Sequence, residues 1–303
     1  MKNKYQNYLI KQVFFYFKSI VAVAIITTLV FYVWRMSLRP PRTDRDREIA
    51  KGIIYQRKVF STLRPYIVHI VEIDLGNSNI RPFVTPSDIQ QPHGSNLAMT
   101  TSDFVEKFDL ILGVNGSFFY PFEENTPWDY YPRSREAVKA LGSNIANGKE
   151  YGKVGKRWNT LCFDRHNLAR ITLKQKCPLR TLQGVAGKEI IVRDSQNVAD
   201  NNIKAYSRTM AGVNHKGDKL WLVVVDGKQP FYSQGVTLKE LADIAVDLGC
   251  DRALNLDGGG SSTLVVKQND GVEVLNAPIH TKIPMRERPV ANHLGFYPSA
   301  KSN

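Results

Sequence analysis

The chain has 303 residues, 43% of them hydrophobic, and a formal net charge of +13, which is too apolar for disorder and long enough for one large domain or two small ones. Residues 1–48 hold nine Lys/Arg against three Asp/Glu, leaving a mild +7 for the remainder. That balance fits anionic substrates or anionic lipid, while the lack of dense Lys/Arg runs interleaved with aromatics argues against nucleic acid as a partner. Cys162, Cys177 and Cys250, none in a CxxC spacing, argue against metal-thiolate and dithiol chemistry.

Ser19 to Trp34 is uncharged and mostly apolar; extended through Val13–Phe17 across Lys18, it reaches the roughly 20 residues a bilayer core requires. Met36–Pro41 offers no small-residue cleavage site, so the run reads as an uncleaved anchor. Basic residues flank both ends, and the charge count does not orient it. We expect an anchor over residues 1–38, a Pro- and charge-rich linker over 39–52, a folded domain over 53–298 and a tail over 299–303.

Ile53–Phe60, Tyr66–Asp74 and Ile80–Thr85 have the β-branched content of strands. Thr100 or Thr101 caps a short helix ending near Phe108, and Leu110–Val114 is an apolar strand running into Asn115-Gly116, a sharp exit. Pro121–Arg135 is an aromatic-rich loop, suited to stacking on sugar rings or to covering the core. Asn159–Asp164 and Leu168–Leu173 form a hairpin, and Gly184–Val192 adds an extended piece. Cys162 and Cys177 flank the hairpin and could pair in an oxidising compartment, although the spacing does not require it; Cys250 reads as a buried small residue. Ser207–Val213 and Leu220–Gly227 are adjacent strands, and Asp226 closes the second. Thr237-x-x-Glu240 is a capping box, Leu238, Leu241, Ile244, Ala245 and Leu248 make one apolar stripe, and Gly249 supplies the stop. Asp270-Gly271 turns a hairpin, and Arg286–Phe296 is a basic loop entering a last strand.

The stretch Ala253–Leu264 carries the chemistry. Leu254 and Leu256 alternate with Asn255 and Asp257 along a strand that ends at Gly258, Gly259 and Gly260, followed by Ser261, Ser262 and Thr263. A carboxylate beside a glycine-rich, hydroxyl-rich turn suits a charged or polyhydroxylated substrate. The P-loop lysine is absent and Leu264–Val266 reads as a strand, which disfavours nucleotide hydrolysis.

Together, Asn115-Gly116-x-Phe118-Phe119, Arg208-Thr209, Val225-Asp226-Gly227, the helix Leu238–Leu248, Asn255–Thr263 and Arg288-Pro289-Val290-Ala291-Asn292 resemble the phosphodiester glycosidase family over roughly Tyr66–Tyr297. Lys228 stands where arginine is common, and Met210-Ala211 follows Arg208-Thr209, departures that bear on sugar preference. The resemblance implies a hydrolase cleaving a sugar-1-phosphodiester or related phosphate-containing glycan, in envelope or exopolysaccharide metabolism. The domain would be periplasmic or extracellular and tethered to the membrane by the N-terminal helix. We expect an α+β fold of mixed, mostly antiparallel sheets with few helices. Asp257, Asp226, Arg208 and Asn115 are the catalytic candidates; Gly258, Gly259, Gly260, Ser261, Ser262, Arg288, Asn292 and His293 are the substrate-binding ones. No residue spacing demands a metal, although a divalent cation between the aspartates is conceivable. The rival readings are a tethered, non-catalytic polysaccharide-binding module and a phosphodiesterase that cuts the P–O bond.

Overall fold

The computed structural model describes residues 2–76, 80–87, 95–152, 158–173, 176–201 and 203–297. Three helices accompany sheets whose pairings are antiparallel. The largest sheet has eight strands in the order 45–50, 53–60, 66–74, 219–225, 208–213, 252–255, 190–193 and 196–197. Two sheets have five strands each, 271–274, 264–268, 112–115, 293–297 and 81–84 in one, and 149–152, 143–146, 183–187, 159–163 and 169–172 in the other; smaller sheets join 96–97, 137–140 and 119–120, pair 123–124 with 130–131, and pair 279–280 with 283–284.

The apolar run Leu220–Val225 is continuous because its sheet is buried on both faces. Leu220, Leu222 and Val224 enter the larger core beside Val71, Ile73 and Leu254. Trp221, Val223 and Val225 point the other way, beneath the helix Leu238–Asp247, with its buried Leu238, Leu241, Ala242 and Ala245. That helix opens on the expected box: Thr237 accepts from the Glu240 amide, and Glu240 accepts from the Thr237 amide. The shorter helix Thr101–Lys107 is capped by Thr100 in the same way, through Asp103. Leu254 and Leu256 share the larger core, as their alternation requires. Cys250 is buried against the sheet, and burial pushes its thiol up to about 12.

Two boundaries differ from expectation. Arg45–Ala50, placed in the linker, is an edge strand paired with Ile53–Phe60. Gly52 takes a left-handed φ of 84° in the connecting turn, Ile49 packs on the core, and Arg47 pairs with Glu273 at 2.9 Å, so charge-rich sequence is held as a strand by its neighbours. Gly184–Val192 divides into strands Gln183–Gly187 and Ile190–Arg193, which join different sheets. Cys162 and Cys177 form a disulfide that ties the hairpin strand Asn159–Phe163 to the segment beyond the hairpin.

The N-terminal helix Lys2–Ser37 includes Ile10–Ser37, an apolar stretch long enough to cross a membrane. Its last turn is fastened to the domain: Arg35 Nε donates to the Pro284 carbonyl at 2.9 Å. Just beyond it, Arg39 donates to Gln229 at 3.1 Å and lies 4.6 Å over the Tyr232 ring.

Candidate active site

The ends of two sheets meet at the glycine turn. In register, Arg208 stands opposite Val225 and Met210 opposite Asn255 in the large sheet, while Asn115 stands opposite His293 in the five-stranded one. A buried polar seam joins them. Thr209 Oγ1 donates to Asn115 Oδ1 at 2.9 Å and the Thr263 amide donates to the same oxygen at 3.2 Å; Asn115 Nδ2 donates to the Asp257 carbonyl at 2.6 Å. The backbone of Asp257 is therefore fixed from three segments far apart in sequence.

Beyond Asp257 the chain makes a single 3₁₀ turn over Gly259–Ser261. Gly259 has a φ of 63°, which favours glycine. Gly260 is required for a different reason: a Cβ there would lie 2.5 Å from Arg288 Nη2 and 2.9 Å from the Ile279 carbonyl oxygen. We therefore expect Gly260→Ala to cost about 1–3 kcal/mol of stability through overpacking. It should also lower turnover by displacing the guanidinium, as read from a thermal melt beside a rate assay.

The turn aims a carboxylate into a cationic corner. Asp257 is partly exposed, and its Oδ1 accepts from the Gly258 amide at 2.9 Å. Burial dominates its titration and pushes the carboxyl up to about 6; the Ser261 hydroxyl, Arg288, the Gly258 amide and Lys228 oppose that rise. Arg288, 7% exposed, spends all three nitrogens: Nη1 donates to Ser261 Oγ at 3.2 Å, Nη2 to Glu124 at 2.6 Å and Nε to His280 Nδ1 at 3.3 Å. A hydrogen-bonded chain thus runs from Ser261 through Arg288 to Glu124. The Thr281 amide also donates to Glu124, at 2.6 Å.

His280 was not singled out in the sequence. Burial, then Arg288, Arg286 and Lys228, push it down to about 3. Neutral, with Nδ1 accepting from Arg288, it carries its proton on Nε2, a buried donor with no partner among the described residues. The aromatic loop folds over these cations. Phe122 lies 4.3 Å from the Arg288 guanidinium and Tyr130 4.5 Å from that of Arg286, while Tyr130 also meets the His280 ring edge-on. A cavity of about 600 Å³ opens beside the cluster and shares Glu124 and Lys228 with it; Pro127, Ile279 and Lys282 line it further. The Lys228 ammonium reaches to 3.6 Å from where a Gly259 Cβ would stand.

The structure brings Asp257, Gly258, Gly259, Gly260, Ser261 and Arg288 together, with Glu124, Lys228 and His280 beside them. Arg208 lies at the rim: its guanidinium donates to the Val236 and Lys204 carbonyls and sits 5.5 Å from the Tyr206 ring, which Lys228 also faces at 5.6 Å. Burial, its largest influence, holds the Arg208 guanidinium below its ordinary range.

Five expected residues turn inward instead. Asp226 belongs to the core: Oδ2 meets His69 Nε2 at 2.9 Å with both side chains 0% exposed, and Oδ1 accepts from Asn276 at 3.1 Å and the Ala277 amide at 2.7 Å. Asn115 is spent on the seam described above. Asn292 is engaged by Ser117, Asn144 and Tyr151 in a fully buried network. Ser262 Oγ meets Thr209 Oγ1 at 3.1 Å, where with the Thr209 proton spent on Asn115 it is the donor, and it is buried. His293 Nδ1 meets Thr85 at 3.1 Å and its ring stacks on Phe104; burial pushes it down to about 3. Among the described residues no group of three or more His, Cys, Asp or Glu side chains could hold a metal ion.

Comparison with known proteins gives this geometry its class. A family profile described as phosphodiester glycosidase matches residues 108–297. The protein is a glycosidase-type hydrolase by kinship. The chain belongs to the phosphodiester glycosidase family. Among solved structures, it is similar to the zebrafish N-acetylglucosamine-1-phosphodiester alpha-N-acetylglucosaminidase catalytic domain, auto-inhibited by its pro-peptide. That match has a TM-score of 0.59 and 17% identity over 87% of this chain and 92% of that one. A hypothetical protein from Synechocystis matches with a TM-score of 0.54 and 13% identity, over 86% of this chain and 64% of its own. A Burkholderia pseudomallei K96243 protein labelled as exported matches with a TM-score of 0.54 and 16% identity, over 77% and 74%. No curated protein matches the sequence.

Proposed function

We propose that the domain hydrolyses the glycosidic bond of a sugar-1-phosphodiester, with Asp257 as the carboxylate that acts at the anomeric centre, directly or through water. The observation that carries this reading is a desolvated carboxylate set against Arg288, Lys228 and the Ser261 hydroxyl, with Lys228 and Glu124 also lining the neighbouring cavity. The phosphate is a weakly basic leaving group, so the reaction asks little of a general acid and much of fixed cations. Lys228 and Arg208 at the rim supply charge for the phosphate. Arg288 is already held by Glu124, Ser261 and His280, and it keeps Asp257 aimed. Glu124 rather than Asp226 is the second carboxylate of the site.

The Cys162–Cys177 disulfide supports an oxidising compartment, hence a domain outside the cytoplasm behind an N-terminal anchor, with a role in envelope or exopolysaccharide metabolism. The expected division into anchor, linker and domain stands as part of this proposal, with the domain beginning at Arg45 rather than Ile53.

If Asp257 works ionised, kcat/KM should fall about tenfold per pH unit below about 6 and level off above it. A profile that falls as pH rises through 6 would assign Asp257 the role of an acid instead. The reaction itself is tested by hydrolysis in heavy-oxygen water: a phosphate free of label establishes C–O cleavage, and label in the phosphate excludes a glycosidase.

A further inference from the structure

The cavity that Glu124 and Lys228 line has one wall that does not belong to the domain. Tyr32, from the apolar helix, lines it together with Glu124, Lys228, Ile279 and Lys282. Tyr32 lies inside the stretch Ile10–Ser37 that is long enough to cross a membrane. A bilayer core takes about 20 helical residues at about 1.5 Å each. Counted back from Tyr32, such a span reaches Val13, with Lys18 close enough to the far end to snorkel. Tyr32, Trp34, Arg35 and Arg39 then form the aromatic and basic border where a span leaves the hydrocarbon.

The helix cannot swing away without breaking contacts. Arg35, about one turn beyond Tyr32, donates to the Pro284 carbonyl on the hairpin that carries Ile279 and His280, and Arg39 is held by Gln229 and Tyr232. The mouth of the cavity is thereby fixed at headgroup depth. Its walls combine Lys228 and Lys282, which suit a phosphodiester, with Ile279 and Tyr32, which suit an alkyl chain.

We propose that the substrate is drawn from the membrane: a sugar-1-phosphodiester whose second ester is a lipid alcohol, with the chain leaving the cavity past Tyr32 into the bilayer. The inference rests on the glycosidase reading above. Water gives its hydroxyl to the anomeric carbon, the bond from that carbon to the phosphate oxygen breaks, and the oxygen takes the remaining proton. The free sugar enters solution and the lipid phosphomonoester stays in the membrane.

The test uses the full chain reconstituted in phosphatidylcholine vesicles. Its probes are the 1-phosphate diesters of N-acetylglucosamine, glucose, galactose and mannose, each made with hexadecanol and presented in the vesicles, and each made with methanol in solution. For the sugar accepted, kcat/KM for the hexadecyl ester should exceed that for the methyl ester at least tenfold, and Tyr32→Ala should shrink that ratio several-fold. A methyl ester cleaved as well as its hexadecyl partner overturns the lipid inference and leaves the glycosidase reading standing. A ratio unmoved by Tyr32→Ala also overturns it, because partition alone would then explain the preference. If no diester of either series is cleaved, the glycosidase reading falls and takes this one with it.

Discussion

Replacing Asp257 with Asn should reduce sugar release by about 10³-fold or more while leaving the fold intact. Removal of a charge held among cations often destabilises, but here the opposite is expected. Burial outweighs Ser261, Arg288, the Gly258 amide and Lys228, and it pushes this carboxyl from the ordinary aspartate range up to about 6. A carboxyl raised on folding favours the native state while protonated; that contribution is present below the unfolded pKa of about 4 and is lost as pH rises through about 6. Asparagine mimics the protonated form in shape and carries no charge. At pH 7.5 the unfolding midpoint of Asp257→Asn should therefore equal or exceed the wild-type value, and the difference should close as pH falls towards 4. A dead variant with a clearly lower midpoint at pH 7.5 would show that the carboxylate is structural, and a variant with wild-type turnover would remove Asp257 from the mechanism.

The sequence was most informative where one segment decides the outcome. The Thr237-x-x-Glu240 box, the doubly buried run Leu220–Val225 and the glycine turn after Asp257 are set by residues adjacent in the chain, and each stands where its pattern placed it. Polar residues at strand ends are different, because which way they serve depends on partners supplied from elsewhere. Asn115, Asn292, His293 and Asp226 occupy the same kind of position as Asp257. They are claimed respectively by Thr209, by Asn144 and Tyr151, by Thr85, and by His69, and none of those pairings has a local signature. Glu124 and His280 were invisible for the converse reason. One lies in an aromatic loop and the other between two prolines, and only Arg288, reaching across to both, gives them a place in the site. The resemblance names the segments, and atomic neighbours divide them into residues spent on the scaffold and residues left for the proposed site.

Asp226 offers the sharpest check of that division, since as a catalytic group and as a core group it should respond oppositely to one conservative change. Asp226→Ala should cost about 3–5 kcal/mol, because it strands His69 and the Asn276 and Ala277 donors in a site with no solvent. Asp226→Asn keeps the shape. Its oxygen can still accept from Asn276 and Ala277. The new amide can face His69 Nε2 if the imidazole proton moves to Nδ1 and donates to Tyr55, which already lies 2.9 Å away. The Asn variant should therefore lose less stability than the Ala variant and keep turnover within about tenfold of wild type, the residual loss reaching the site through Asn276, which also holds the Ser262 carbonyl and the Leu264 amide behind the glycine turn. Paired urea melts and initial rates on the two variants separate the possibilities: a thousandfold loss in Asp226→Asn at an unchanged midpoint would return Asp226 to the chemistry and displace Glu124 as the second carboxylate.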